Sequence, residues 1–449
     1  MKKIDIDIRT ISPMFSGRGD NSFSLTPQSV RGVLRFWFRA VLPRAVNIVD
    51  NKGNPKNKGE DCEWNYKLLK DIESYIFGST EIKSPFDVIV KFDIKDTSDN
   101  TGKFLTNGKY NEYALYGQEN RYYLKENSKI NIKFIIKRNI NGLDKVLFYL
   151  LNLTSYLGGF GAKTRKGFGS FEIIKHDNFE IKNHIKSIIN CLEIYLKELI
   201  EDMKINYIEK TGIFKDEKIR NNFFNLNNIS YDIQEFTFSP TFPTLINNKY
   251  SSLNSYFSFD TFLELYDYLY KPDPQAKNLN YENSLNLNIG MYIKLKKILR
   301  GKYILENQKI KLNTDLSQDS FRKAIYAIKD HKKPSIKFDQ SFLGLPINYK
   351  IGKDHFNGLN SNKYTLSNTD GRKASQMFIK TYIENGKYKY RITLIKSKIT
   401  NGKTFRNGEK INDIKFNQKR TEIDVKGNEN AFKIMKLLKT LKMIEEGGK

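Results

Sequence analysis

Cysteine, histidine and long apolar runs are scarce in this chain. The two cysteines, Cys62 and Cys191, are too few for a disulfide framework or for a zinc site built on cysteine. No stretch approaches the roughly 18 uninterrupted apolar residues of a membrane span, and the N-terminal residues MKKIDIDIRTISP contain no apolar signal segment. We therefore expect a soluble, cytoplasmic protein that has no membrane partner.

The four histidines lie outside the basic N-terminal region. Residues 1–175 contain none, so the usual general base for RNA cleavage is missing there. Metal-ligand spacings such as H-E-x-x-H do not occur, and Asp20, between glycine and asparagine, is typical of a turn. We expect no catalytic residue, no metal and no cofactor. Because lysine or tyrosine can also act as a base, a metal-independent endoribonuclease stays an alternative.

Acidic residues are outnumbered by basic ones. The 449 residues include 76 Lys and Arg against 50 Asp and Glu, which gives a net charge of +26. Six of the 16 arginines fall in the first 44 residues, beside only three acids, and this clustering exceeds a diffuse lysine bias; they are Arg9, Arg18, Arg31, Arg35, Arg39 and Arg44. Such a basic cluster predicts nucleic-acid binding.

The first 44 residues predict a strand followed by an amphipathic helix. Isoleucines alternate with charged residues over 2–12, the period of a half-buried strand. Thr26 is a candidate N-cap and Pro27 suits the first helical position. One helix face is apolar, and it consists of Val30, Val33, Leu34, Trp37, Phe38 and Val41. Arg31, Arg35 and Arg39 recur every four residues and form a basic stripe beside that face.

Further elements follow in an order that indicates the fold. A second helix ends at Gly78, residues 85–95 and 129–138 read as strands, residues 143–157 as a helix, and residues 168–175 as a last strand. The order β, α, β, β, α, β is that of the ferredoxin-like arrangement, which RNA-recognition modules share. We therefore predict an α+β fold.

The rest of the chain predicts a second copy of this fold. TFSPTFPT at 237–244 repeats the S-P-x-F of TISPMFSG at 10–17, each after an alternating segment. We predict a ferredoxin-like domain at 1–176, a helical linker at 177–229 and a degenerate second ferredoxin-like domain at 230–449 that ends in a helix over 428–446. The fold class is then two ferredoxin-like, RRM-like domains with a glycine-rich loop before the last strand of the first.

That glycine-rich loop is GGFGAKTRKGFGS, residues 158–170. Its spacing fits neither the Walker pattern nor the Rossmann pattern, so ATP and dinucleotide binding are disfavoured. Glycines let bare backbone approach a ligand, and the cations Lys163, Arg165 and Lys166 suit phosphate. A packed crossover that touches no ligand is the alternative. Base stacking and internal packing stay equally open for the aromatics near these cations, Phe15, Phe23, Phe160 and Phe168.

Three motifs in order resemble the RAMP superfamily of CRISPR proteins: TPQSVRGVLRFWFRA (26–40), IFGST…SPFDV (76–88) and the glycine-rich loop. Within the superfamily, R-G-x-L-R-F-W-F-R is similar to the family of first-numbered subunits of type III-B Cmr effector complexes. The resemblance covers residues 1–176. Beyond about residue 205 it is weaker and rests on FLGLPINY (342–349) and GRKASQMFIK (371–380).

The resemblance implies a non-catalytic, RNA-binding subunit. Such a subunit would cap the end of the complex that holds the 3′ part of the CRISPR RNA and would help to bind target RNA. Its implied partners are CRISPR RNA, target RNA and other Cmr subunits, chiefly the adjacent RAMP subunit of the filament. The alternatives are a metal-independent endoribonuclease that processes CRISPR RNA and a scaffold that binds only proteins.

The candidate RNA-binding residues come from the first loop, the first helix and the glycine-rich loop. They are Ser16, Gly17, Arg18, Arg31, Arg35, Arg39, Gly158, Gly159, Gly161, Lys163, Thr164, Arg165 and Lys166. We expect the basic stripe of the helix and the cations of the loop to form a single surface for a ribose-phosphate chain.

Overall fold

The structure is a computed structural model of the chain. It describes residues 1–17, 22–46, 66–93, 95, 97–98, 121–176, 179–204, 250–271, 290–301, 303–306, 309–312, 335–336, 343, 347–350, 363–366, 375–395, 408–416, 419–426 and 430–443. Several sequence predictions fall outside these residues: those for Arg18 and Asp20, and the repeat at 237–244.

The chain divides into two compact units. The first comprises Met1–Asn254, Ser258–Phe262 and Phe378–Ile395, and the second comprises Ser255–Phe257, Leu263–Met377 and Lys396–Lys449. This division differs from the boundaries predicted from the sequence. The predicted linker belongs to the first unit as far as it is described, and so does the segment 378–395, which the sequence assigned to the second domain.

The elements up to residue 204 are, in chain order, β1 (Lys2–Thr10), α1 (Pro27–Val41), a short 3₁₀ turn (Leu42–Arg44), α2 (Tyr66–Phe77), β2 (Phe86–Phe92), β3 (Thr97–Ser98), β4 (Tyr123–Leu124), β5 (Lys129–Ile136), α3 (Leu143–Leu157), β6 (Phe171–His176) and α4 (Ile185–Met203). Those beyond it are β7 (Tyr250–Asn254), α5 (Phe262–Tyr270), α6 (Met291–Arg300), β8 (Tyr303–Glu306), β9 (Lys309–Leu312), β10 (Ser335–Ile336), β11 (Ile347–Lys350), β12 (Lys363–Leu366), β13 (Met377–Glu384), β14 (Lys387–Ile395), β15 (Gly408–Phe416), β16 (Lys419–Lys426) and α7 (Asn430–Thr440).

A four-stranded antiparallel sheet organises the N-terminal part of the first unit. Its strand order is β2-β5-β1-β6, and Ile4, Ile6 and Ile8 of β1 pair with Phe134, Ile132 and Ile130 of β5. These six side chains are buried under the helices, because alternate residues of a strand point to the same face. The predicted order β, α, β, β, α, β is present here, with α2 as an additional helix after α1.

Local sequence signals account for the ends of the first two helices. The Thr26 side chain accepts a hydrogen bond from the Ser29 N–H at 3.1 Å and Pro27 opens α1, which confirms the predicted cap. The predicted apolar face of α1 is buried, apart from a partly buried Val33. Helix α2 ends before Gly78, whose φ of +85° closes the helix as a C-terminal glycine does.

The segment 378–395 contributes a second sheet to the first unit. β14 lies in the middle of the order β13-β14-β7 and pairs antiparallel with β7, placing Arg391 opposite Asn254. Asn385 and Gly386, both at positive φ, form the tight turn between β13 and β14. This hairpin brings residues from late in the chain to the first unit.

The second unit combines helices with an extended sheet. Five strands lie in the order β10-β16-β15-β12-β11, and β8 and β9 form a separate hairpin. The last helix, predicted over 428–446, is observed as α7. The overall class is therefore α+β, as predicted. Within the described residues no helix combines the length and apolarity that crossing a bilayer requires.

Candidate nucleic-acid interface

Glycines let the two arms of the loop 158–170 cross with their backbones in contact. The Phe160 N–H donates to the Gly169 carbonyl at 3.0 Å. A Cβ on Gly169, which has φ +64°, would lie 1.9 Å from the Phe160 carbonyl oxygen, and one on Gly159 would lie 2.3 Å from that of Gly169. Only glycine fits both positions, so the sequence GGFG…GFG specifies a tight base for the loop.

The loop rests on the segment that follows β1. The Ala162 N–H donates to the Phe15 carbonyl at 2.6 Å, and Gly161 packs so closely that a Cβ would lie 2.2 Å from the same oxygen. Ser16 lies beside this contact and its Oγ donates to the Ser24 carbonyl at 2.9 Å, while Gly17 pairs with Phe23. The structure thus brings the predicted residues Ser16, Gly17 and Gly161 together.

A cluster of hydroxyl groups fixes the second half of the loop. The Gly167 carbonyl accepts hydrogen bonds from Ser12 Oγ at 2.7 Å, Thr381 Oγ1 at 3.0 Å and Ser170 Oγ at 3.2 Å. The Ile379 N–H donates to the Arg165 carbonyl at 3.1 Å. Thr381 and Ile379 belong to β13, more than 200 residues further along the chain, and no signal in the sequence connects them to the loop.

Arg165 joins helix α1 to β13 instead of projecting into solvent. Its guanidinium carbon lies 5.4 Å from the ring centre of Phe36 and 4.3 Å from that of Phe378. Burial lowers the pKa of Arg165 to about 10, so the group is still a cation at neutral pH. Cation–π contacts of this kind contribute about 0.5–2 kcal/mol, and they give Arg165 a structural role within the first unit.

The tip of the loop carries the remaining cations. The Lys166 N–H donates to the Lys163 carbonyl at 2.8 Å, closing a turn in which Lys163 has φ +60°. Gly161 is exposed, and Lys163, Thr164 and Lys166 are partly exposed. Non-glycine residues at positive φ are uncommon and cluster at functional sites, so the tip is a candidate contact surface.

The basic stripe of α1 is bound to protein partners. Arg35 Nε and Arg39 Nη1 pair with the Glu73 carboxylate of α2 at 2.6 and 3.2 Å. Arg31 Nη2 donates to the Phe86 carbonyl at 3.0 Å, and burial lowers the pKa of Arg31. The stripe therefore holds α1 against α2 and β2, and RNA contact by these arginines stays a prediction.

The stripe and the loop have different neighbours around α1. The loop contacts Phe36 through Arg165 and Trp37 through Gly158, where an added Cβ would lie 3.2 Å from the indole ring. At about 100° per residue, Arg35 lies about 100° around the helix from Phe36, whereas Arg39, three residues after Phe36, lies about 60° from it. A single RNA surface built from the stripe and the loop therefore stays a prediction.

The four aromatics left open between stacking and packing are all packed inside the protein. Phe160 stacks on Phe171 with ring centres 4.8 Å apart. Phe15 and Phe168 meet edge-to-face at 5.6 Å, and Phe23 meets Phe92 at 5.0 Å. All four are buried, so none offers a face to a base.

The open face of the sheet does not resemble the stacking platform of an RNA-recognition module. Asn131 Nδ2 donates to Asp5 at 2.5 Å and to Asp7 at 2.8 Å. Lys133 and Lys129 pair with the same two carboxylates at 2.6 and 2.9 Å, and the Lys133 contact is the largest cause that lowers the pKa of Asp5. Modules of that type place aromatic rings at such positions. Charged pairs occupy them here, so the loop edge is the better candidate for RNA.

Among the described residues, His, Cys, Asp and Glu form no group of three or more that could hold a metal ion.

Comparison with known proteins relates the chain to CRISPR systems. Residues 7–172 match the RAMP superfamily. The CRISPR system Cmr subunit Cmr1-2 of Pyrococcus furiosus is 28% identical over 193 residues, a match covering 37% of this chain and 92% of that protein.

Two solved structures resemble the chain at low sequence identity. The crystal structure of apo Cmr1 from Pyrococcus furiosus aligns with 97% of this chain and 97% of its own, at a TM-score of 0.46 and 14% identity. A cryo-EM structure of the type III-B Cmr-β complex bound to cognate target RNA contains a chain that aligns with 88% of this one and 94% of its own, at a TM-score of 0.37 and 12% identity. By sequence, residues 7–172 match the RAMP superfamily, and the protein is similar to a Cmr1 subunit of a CRISPR system.

Proposed function

We propose that this protein is a non-catalytic, RNA-binding subunit of a type III-B CRISPR effector complex. The similarity to a Cmr1 subunit over the RAMP domain supports this proposal, together with the net charge of +26. In such a complex the subunit would cap the end that holds the 3′ part of the CRISPR RNA and would help to bind target RNA. Its neighbours would be other Cmr subunits, chiefly the adjacent RAMP subunit, and its second unit would be a degenerate ferredoxin-like domain.

One observation carries the proposal: a basic, partly exposed tip stands on a rigid base. Backbone crossing at Gly169 and the hydroxyl cluster at the Gly167 carbonyl fix the base. The tip consists of Lys163, Thr164 and Lys166, which come after the exposed Gly161 in the chain. A preorganised loop of this kind binds phosphate without the cost of ordering its backbone on contact.

The predicted site residues take different roles in this proposal. Lys163, Thr164 and Lys166 contact phosphate, and Ser16 and Gly17 extend that surface. Gly158 and Gly159 form the base, and Arg165 holds the base against α1. Arg31, Arg35 and Arg39 hold helix α1, which supports the loop, in place. Arg18 is assigned to RNA contact on the resemblance alone.

Salt dependence tests the electrostatic part of the proposal. If the three cations assigned to RNA, Lys163, Lys166 and Arg18, meet phosphates, log affinity of the full chain for single-stranded RNA falls with log salt at a slope of about −2, and each lost contact removes about 0.7. Lys163→Gly removes one cation and suits φ +60°, so the loss of charge is separated from strain. Fluorescence anisotropy with labelled RNA between low and high salt measures both slopes.

A control variant that loses one lysine charge away from the loop tests whether the loop contacts RNA. Lys137 directly follows β5 and pairs with Asp87 of β2 on the open face of the sheet. Lys137→Gln is expected to leave the salt slope unchanged. Equal slopes for Lys163→Gly, Lys166→Gln and the native chain would contradict contact at the tip. A flat salt response of the native chain would remove the RNA-binding proposal itself.

Assembly and lack of catalysis have separate tests. Affinity purification of the tagged protein from its host is expected to recover guide RNA together with several RAMP proteins. The purified chain is expected to leave repeat RNA intact after prolonged incubation in EDTA. Site-specific cleavage under those conditions would favour the endoribonuclease alternative instead.

A further inference from the structure

Tyr122 presents an exposed aromatic ring in a part of the first unit where neighbouring rings are buried. Its side chain is 39% exposed, whereas Tyr123 is 7% exposed and packs on Phe15 with ring centres 5.2 Å apart. The following residue, Leu124, is buried as well, so of these three consecutive residues Tyr122 alone exposes its side chain. Within the described part of the chain, Tyr122 has neither a ring partner nor a hydrogen bond.

Backbone and ring contacts connect this part of the chain to the glycine-rich loop. Met14 and Leu124 exchange both of their backbone hydrogen bonds at 3.0 Å as an isolated antiparallel pair. Next to this pair, the ring of Tyr123 packs on Phe15, whose carbonyl accepts a hydrogen bond from the Ala162 N–H of the loop at 2.6 Å. Tyr122 is therefore the chain neighbour of a residue that packs on the support of the loop.

The charges around this part of the chain favour a polyanion. Arg121 precedes the ring and the exposed Lys125 follows it by three residues, while Lys163 and Lys166 stand on the loop tip, which Ala162 joins to Phe15. Grooves that bind single-stranded nucleic acid combine cations along the backbone with rings on which bases stack. The rings that the sequence offered for stacking are buried, and Tyr122 supplies the missing component.

We propose that the ring of Tyr122 is a stacking platform for one base of single-stranded RNA whose phosphates lie along the tip of the glycine-rich loop. This inference rests on the proposed RNA-binding function and adds the contact to a base. Stacking uses the π-face that every base has, so the platform accepts any base.

The test measures affinity of the full-length chain for a labelled RNA oligonucleotide. Tyr122→Ala is expected to weaken binding about 5- to 150-fold, which corresponds to the loss of about 1–3 kcal/mol per stacked base. Tyr122→Phe and Tyr122→Trp keep a ring and are expected to bind as the native chain does. The salt slope is expected to stay unchanged in Tyr122→Ala, because a stacking contact releases no counterions.

Controls separate this inference from the function on which it rests. Ile89→Ala removes another exposed apolar side chain, on the open face of β2, and is expected to leave RNA affinity unchanged. RNA that contains 4-thiouridine is expected to crosslink to residue 122 on irradiation. Loss of that crosslink in Tyr122→Ala supports the proposal. If Lys163→Gly makes the salt slope shallower while Tyr122→Ala binds RNA as tightly as the native chain, base stacking by Tyr122 is refuted and the phosphate contact stands. If neither variant alters RNA binding, both proposals fail.

Discussion

At the scale of single residues, the position of a cation decides what its charge can do. Arg165 and Lys163 are two residues apart, yet one lies between the rings of Phe36 and Phe378 and the other stands at the partly exposed tip. The sequence shows two equivalent cations in a basic loop. The structure gives the first a role in holding the loop, and we propose phosphate contact for the second.

Lys380 is a residue whose buried charge has a measurable consequence. Its Nζ donates to the Phe171 carbonyl at 3.1 Å, directly after the glycine-rich loop, and the side chain is fully buried. Burial, reinforced by Arg391 and opposed by Glu172, holds the pKa of Lys380 well below its ordinary value. Because the pKa is lower in the folded state, unfolding takes up a proton at any pH between the folded and the unfolded pKa.

We predict that this residue makes the first unit more stable as pH rises. The free energy of unfolding is expected to increase, by at most about 1.4 kcal/mol per pH unit, from the lowered pKa of Lys380 up to about pH 10.5. Lys380→Met removes the titrating group and is expected to flatten that dependence. Urea unfolding followed by the tryptophan fluorescence of the protein, to which Trp37 of the first unit contributes, measures it. Identical pH profiles for the two proteins would show that Lys380 is charged in the folded state.

At the scale of elements, one buried carboxylate holds two helices together. The Glu73 side chain is 4% exposed and accepts both Arg35 and Arg39, so α2 is fixed against the basic stripe of α1. A buried carboxylate is tolerated only when it is paired, and here two guanidinium groups satisfy it. The four-residue spacing of the arginines, which indicates a binding stripe in the sequence, serves this packing in the structure.

We predict a large stability loss on removing this carboxylate. Glu73→Ala is expected to lower the free energy of unfolding by about 2–4 kcal/mol, because two partly buried arginines lose their partner. Arg9→Ala is the control: it breaks the exposed pair with Glu172, at 2.8 Å, and is expected to cost about 0–1 kcal/mol. Both are measured by urea unfolding, and equal losses would contradict the role given to Glu73.

At the scale of the whole molecule, distant segments of the chain build the candidate interface. Residues near position 15 support the loop from one side, and β13 supports it from the other through Thr381 and Ile379. The first unit is therefore discontinuous in sequence. A fragment that ends before β13 lacks the hydrogen bonds that Thr381 and Ile379 make with the loop.

We predict that β13 controls the loop from a distance. Thr381→Val deletes the hydroxyl donor to the Gly167 carbonyl and is expected to weaken RNA binding about two- to tenfold and to speed hydrogen exchange of the Ala162 amide. Thr393→Val removes a comparable buried hydroxyl from β14, which bonds to Ser252 at 3.1 Å, and is expected to leave both measurements unchanged. Equal effects from the two variants would mean that general destabilisation, and not the loop contact, weakens RNA binding.

Local signals in the sequence determined the elements, and the tertiary structure decided their partners. Neighbouring residues alone set the alternation in β1, the Thr26–Pro27 cap, the glycines at 78 and 158 and the 143–157 helix. The order of these elements can therefore be predicted from the sequence. Groups far apart in the chain decide three other features: the pairing of Arg35 with Glu73, the position of Arg165 between Phe36 and Phe378, and the exposure of Tyr122. Spacing in one segment carries no information about which distant side chain will neutralise or bury a charge, because burial and pairing exist only after the strands and helices have packed.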